Sequence, residues 1–251
     1  MTLSALLLSA GLLASPAALS QAPLDALRAT LDALPGTAPI RAQVEHRFER
    51  QRDGQPAPTG QATPARAHLA AGADGLTVTW GREALDELHR ERDRRAADAD
   101  ARTPVMDAMS DLDAASCARL LDGAAELRHD LDRATVLEAR DEPLDGAPAR
   151  LLRLRLDPDL PASQRKYVKE LDATMSLWLG QDGVPLAAEV RVKASGRAML
   201  VIGFSSVQQE RYRFAHVGDR LVVTRREFDQ HSEGGGERGA TKSSTTLMVE
   251  R

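Results

Sequence analysis

Six histidines, one cysteine and 37 carboxylates are the groups with which this 251-residue chain could do metal, nucleophilic or acid–base chemistry. Their spacing assembles no standard site. His89 and Asp93, in HRERD, stand four apart and share a helical face, yet no HExxH or comparable ligand set surrounds them, and a solvated face accounts for both. His46 alternates with apolar positions in IRAQVEHRF, as a satisfied core or cavity residue would. His129 closes a helix, where a cation is favoured. His68 belongs to a short strand, and His216 and His231 lie in or near turns. The thiol, Cys117, sits in the apolar stretch SCARLL. A nucleophilic cysteine needs a basic partner and an electropositive setting, so Cys117 reads as a core residue. Carboxylates are so frequent that spacing selects no acid/base couple. Ser205-Ser206 and KSSTT lack a G-x-S-x-G frame. Gly234–Gly236 has no strand–loop–Lys arrangement ahead of a helix, so it reads as a flexible loop. These observations name no catalytic residue, no metal ligand and no cofactor. The chain is read as a binding protein rather than an enzyme; a site built from scattered residues is the enzymatic alternative.

The elements that must position these groups follow from periodicity. LDALRATLDAL, Leu24–Leu34, places leucines at helical spacing, and Pro35-Gly36 ends the helix. IRAQVEHRFERQRDG alternates Ile40, Ala42, Val44, His46 and Phe48 with Arg41, Gln43, Glu45, Arg47 and Glu49, the mark of a half-buried antiparallel strand. A polar connection over Asp53–Pro64 leads to short strands around Arg66–Leu69 and Leu76–Trp80. From Arg82 to about Arg133 the pattern is helical. REALDELHRERDRRAADADA has only a thin apolar edge, Leu85 and Leu88, so it lies on the surface. Thr103-Pro104 breaks it. A second helix starts at the N-cap Asp113 and buries Leu120, Leu121 and Leu127.

The remainder is β. Thr135–Arg140 and Ala149–Asp157 form a hairpin, and a polar connection spans Pro158–Lys169. A meander follows, with strands at Thr174–Leu179, Leu186–Lys193, Arg197–Phe204, Glu210–Val217 and Leu221–Arg226, tight turns between them, a mobile HSEGGGERGA loop, and a last strand in KSSTTLMVE. In MSLWLGQDGVPLAAEVRVK the faces separate. Met175, Leu177 and Leu179 point one way, as do Leu186, Ala188, Val190 and Val192 in the returning arm. Trp178 stands on the otherwise polar side, against a ligand or, as ordinary packing, against a helix or the sheet margin.

Composition bounds the partners. The net charge is −4 and aromatics make up 3%, so neither a basic field nor stacking platforms are available for nucleic acid. The opening MTLSALLLSAGLLASPAALS has about a dozen apolar or small residues, short of the roughly 20 that span a bilayer, and ends in a small-x-small pattern. Residues 1–20 therefore read as a signal peptide for export to the periplasm, although no Lys or Arg precedes the apolar run. Residues 21–251 read as one α+β domain with a helical insertion at about 82–133. A sheet of this kind must cover its apolar face, and the helices are the available cover. The expected architecture is a curved antiparallel sheet, or incomplete β-barrel, closed by helices on its concave side.

The exported N-terminus, the first helix followed by IRAQVEHRFERQRDG, and above all SLWLGQDGVPLAAEVRV make the chain resemble the bacterial lipoprotein-carrier superfamily of the LolA/LolB type. That superfamily includes the N-terminal domain of the RseB type of envelope-stress regulator, and its members often show an LWLD…GLPL segment. The resemblance implies an unclosed barrel with a helical lid, whose apolar interior receives a lipid, an acyl chain or a lipoprotein anchor. In such an interior the candidate lining residues are Phe48, Trp80, Leu177, Trp178, Leu179, Val190 and Phe204. With two Trp, two Tyr and four Phe in all, the chain is poorer in aromatics than such cavities commonly are. The alternative is an envelope protein–protein module with a filled core and no ligand.

Overall fold

The computed structural model describes residues 21–53, 62–158, 160–198 and 202–250. The expected signal peptide, and most of the connection expected over Asp53–Pro64, lie outside them. In chain order the elements are α1 (Ala22–Asp32), β1 (Ile40–Arg52), β2 (Ala65–Gly72), β3 (Gly75–Trp80), α2 (Arg82–Ala97), α3 (Pro104–Asp111), α4 (Ala114–Leu121) and α5 (Gly123–Leu131). There follow β4 (Thr135–Asp141), β5 (Arg150–Arg155), the one-turn α6 (Ala162–Arg165), β6 (Val168–Leu179), β7 (Pro185–Ala198), β8 (Ile202–Val217), β9 (Arg220–Gly234) and β10 (Glu237–Val249). All ten strands form one antiparallel sheet in the order β3-β2-β1-β10-β9-β8-β7-β6-β5-β4. The fold is therefore α+β. β10 joins the N-terminal hairpins to the C-terminal meander by pairing with β1 from Ala42↔Val249 to Arg52↔Gly239.

Register defines one covered face. His46 opposes Thr245, Thr245 opposes Arg226, Arg226 opposes Tyr212, Tyr212 opposes Ala188, Ala188 opposes Leu177 and Leu177 opposes Leu152. Directly opposed residues in an antiparallel pair share a face. Helices pack on it in two main clusters. Leu24, Leu27 and Leu31 of α1, with Leu127 and Leu131 of α5, meet Leu152, Leu154, Met175 and Leu177. Leu120 and Leu121 of α4 meet Val44, Leu69, Val223 and Leu247. Burying each such leucine is worth about 1.5–3 kcal/mol. α1 and α5 also exchange guanidinium caps. Arg28 donates to the Leu131 carbonyl (2.6 Å) and Arg128 to the Leu31 carbonyl (3.3 Å), each placing a cation at the C-terminal end of the other helix, where the dipole favours one.

Several expectations are corrected. The helix expected from Asp113 through Leu127 is two helices with a break at Asp122. Asp113 caps α4 by accepting from Ser116 N (2.6 Å), and Asp122 caps α5 by accepting from Ala125 N (3.1 Å). Pro104 does more than end α2. It opens α3, where the missing N–H of proline costs nothing. Arg197–Phe204 is not a strand of its own; its two ends belong to β7 and β8. HSEGGGERGA is not a loop, because β9 runs to Gly234 and β10 starts at Glu237. A single register explains both: Phe204 on β8 opposes Gly196 on β7 and Gly234 on β9. A Cβ on Gly196 would stand 2.8 Å from the Phe204 ring and 2.0 Å from the Tyr167 carbonyl. The glycine there makes room inside a strand rather than marking a turn.

Candidate functional site

A cavity of about 180 Å³ opens between α4, α5 and the covered face of β8 and β9. Its walls have two characters. Leu112, Leu120, Leu127, Met175, Phe214 and Val223 supply apolar surface. His46, Asp111, Asp130, Glu210, Tyr212 and Arg226 supply ionisable groups. α5 stands close to the sheet at its start: a Cβ on Gly123 would lie 3.1 Å from the Leu221 carbonyl and 3.3 Å from the Phe214 ring.

The floor is a half-buried ionic knot. Glu210 accepts from the Tyr212 hydroxyl, from Arg226 Nε (3.0 Å) and from Gln208 Nε2 (2.6 Å). Strand alternation puts Gln208, Glu210 and Tyr212 on one face. Between Arg213 and Phe214 the pairing skips Thr224, a bulge that keeps Val223 and Arg226 in the same wall. Burial opposes the Arg226 charge, but Glu210 and Tyr212 outweigh it and raise its pKa. Burial, helped by Glu210, holds the Tyr212 phenol protonated well beyond its usual range. The Tyr212 and Phe214 rings stack with centroids 6.0 Å apart, forming an aromatic wall.

A second relay forms the rim. His46, 1% exposed, pairs through Nδ1 with Thr245 Oγ1 (2.9 Å) and through Nε2 with Asp111 Oδ2 (3.0 Å). The His46 contact pulls the Asp111 carboxyl below its ordinary pKa, against the effect of its burial. Asp130 differs from all of these: among the described residues it has no hydrogen-bond or ion-pair partner. Burial, then the charge of Glu126, push its pKa up to about 6; His129 pulls the other way, and Glu210 adds the smallest push.

The seven residues expected to line an apolar interior do not converge. Leu177 and Leu179 are buried beneath α1, with Val190 packed against the same cluster. Phe48 lies under α3 with Val105 and Ala108, and Trp80 packs at that end of the sheet. Phe204 fills the space over Gly196. Trp178 is on the opposite face, in register with Leu151 and Ala187, and its Nε1–H donates to Glu142 (3.3 Å). None of the seven lines the cavity between α4, α5 and the sheet. Sequence reading did place His46 as a core or cavity residue. It passed over Glu210, Tyr212 and Arg226, whose only signal is a charged residue on the apolar phase of β8 and β9.

Burial, with a smaller push from Asp113, raises the Cys117 thiol to about 11, so it stays protonated and unreactive at neutral pH. Among the described residues, no group of three or more His, Cys, Asp or Glu is placed to hold a metal ion, and no helix is long and apolar enough to cross a membrane. No family model matches the sequence, and neither the curated proteins nor the solved structures yield a match.

Proposed function

We propose that the chain is an exported, non-enzymatic binding protein whose site is the cavity beneath α4 and α5. The sheet acts as an unclosed barrel, the helices cover its concave side, and the ligand is amphipathic. The observation that carries this reading is the mixed lining: sheet and helices each bring ionisable groups into the cavity beside leucine, methionine, valine or phenylalanine side chains. Pockets that bind small molecules combine an apolar surface with a few placed polar groups in this way. In the floor Glu210, Tyr212 and Arg226 are already tied together by hydrogen bonds, and Asp111 is paired with His46, which suits orientation of a ligand better than turnover.

Size narrows the lipid-carrier reading that the LolA/LolB resemblance suggested. At about 180 Å³ the cavity falls below the roughly 300–1,000 Å³ of pockets that enclose drug-sized ligands. It suits a small amphiphile, or the head and first carbons of a larger one, and not a whole acyl chain. Extraction of the periplasmic protein followed by mass spectrometry tests the proposal. A stoichiometric small amphiphile supports it. A protein that yields none, and that binds no amphiphilic probe in calorimetry, returns the chain to the alternative of an envelope interaction module.

A further inference from the structure

Resting on that reading, we infer that the cavity selects a cationic amphiphile: an alkylammonium whose positive head sits between Asp130 and the Tyr212–Phe214 wall. The argument starts from how poorly Asp130 is placed for stability. It lies in the last turn of α5, where the helix dipole favours cations over anions. Glu126 precedes it by four residues, a like-charge spacing that weakens a helix. It is partly buried, and among the described residues it has no partner. Three unfavourable features meet in one side chain that lines a cavity, and local conflicts of this kind mark functional positions.

The surroundings decide the sign of the ligand. Across the lining, four carboxylates (Asp111, Glu126, Asp130 and Glu210) face two guanidiniums (Arg119 and Arg226) and His46. Arg226 is committed to Glu210, and His46 to Asp111 and Thr245. Arg119, on α4, donates to Ser116 and reaches Glu126 only at 4.0 Å. An entering anion would find Arg226 and His46 already engaged, Arg119 half in solvent with Glu126 beside it, and Asp130 opposing it. An ammonium ion would neutralise Asp130, relieve its repulsion from Glu126 and Glu210, and meet the stacked rings, whose faces attract cations. Its alkyl body would lie along Leu120, Leu127 and Met175.

Calorimetric titration of the full mature chain with hexylammonium and with hexanoate at pH 8 tests the inference. The expected result is one equivalent of hexylammonium bound and no measurable hexanoate binding. Affinity for the cation should fall about tenfold or more in Asp130→Asn, and Asp130→Glu should restore part of it. In the unmodified chain the same affinity should fall as pH drops from 8 to 5, because Asp130 takes up a proton near 6; that readout needs no variant to fold. Hexanoate binding as tightly as the amine would overturn the cation inference and leave the small-amphiphile reading standing. Binding of neither probe would remove both.

Discussion

At the scale of single residues, two carboxylates in one cavity should respond to pH with opposite signs. The folded chain depresses the Asp111 pKa through the His46 contact. Its contribution is present above the unfolded carboxylate value and is lost as pH falls through the folded one. Asp111→Asn should therefore flatten the acid limb of a stability–pH curve measured by urea unfolding. Asp130 works in reverse. With a folded pKa near 6, the native state holds its proton more tightly than the unfolded chain does. Stability declines as pH rises between the two values and stays reduced above 6. Asp130→Asn should gain up to about 3 kcal/mol at pH 7.5, less to the extent that water screens the partly exposed carboxylate, and almost nothing at pH 4. An equal gain at both would mean that the charge is not the cause.

At the scale of elements, helix ends carry much of the specificity, and one of them depends on a buried acid from a neighbouring helix. Glu91 of α2 is 1% exposed and accepts from Val105 N (3.1 Å) and Met106 N (2.7 Å), which satisfies the first donors of α3. Burial raises its pKa while those two backbone bonds work against the rise. Glu91→Ala should cost about 1–3 kcal/mol in denaturant unfolding, because it orphans both donors. Glu91→Gln, which keeps one acceptor, should cost less. Sequence reading gave α2 a solvated surface with a thin apolar edge and could not single out Glu91, since its partners lie 14 and 15 residues further on and define a helix that was not anticipated. Local signals were legible where the cause is local: the Asp113 cap, the leucines of α1, the alternation of β1 and the QDG turn, where Gly180 N donates to the Val184 carbonyl (2.8 Å). The turn expected at Gly196 and the loop expected at Gly234 failed because the cause of both glycines is Phe204 on another strand. The cavity was illegible for the same reason, as it joins β1, β6, β7, β8, β9, β10 and three helices.

At the scale of the whole molecule, topology separates what can form early from what must wait. β6 to β9 are successive neighbours in chain and in sheet, so their pairing closes only short loops. The β1–β10 pairing joins Ala42 to Val249 and must close nearly the full chain, and non-local pairings of that kind slow folding. The meander, with α5 docked on β9, is therefore expected to be structured in the folding transition state, and the β1–β10 seam to form after it. Leu177→Ala and Val44→Ala separate the two, since both residues are buried on the covered face, at 0% and 1% exposure. Leu177→Ala should cost about 2–5 kcal/mol and appear mainly as slower refolding. Val44→Ala should leave the refolding rate nearly unchanged and speed unfolding instead. Stopped-flow chevrons of the two variants measure this. A refolding arm slowed more by Val44→Ala than by Leu177→Ala, relative to each variant's loss of stability, would show that the seam joining the ends of the chain forms first and that the meander folds onto it.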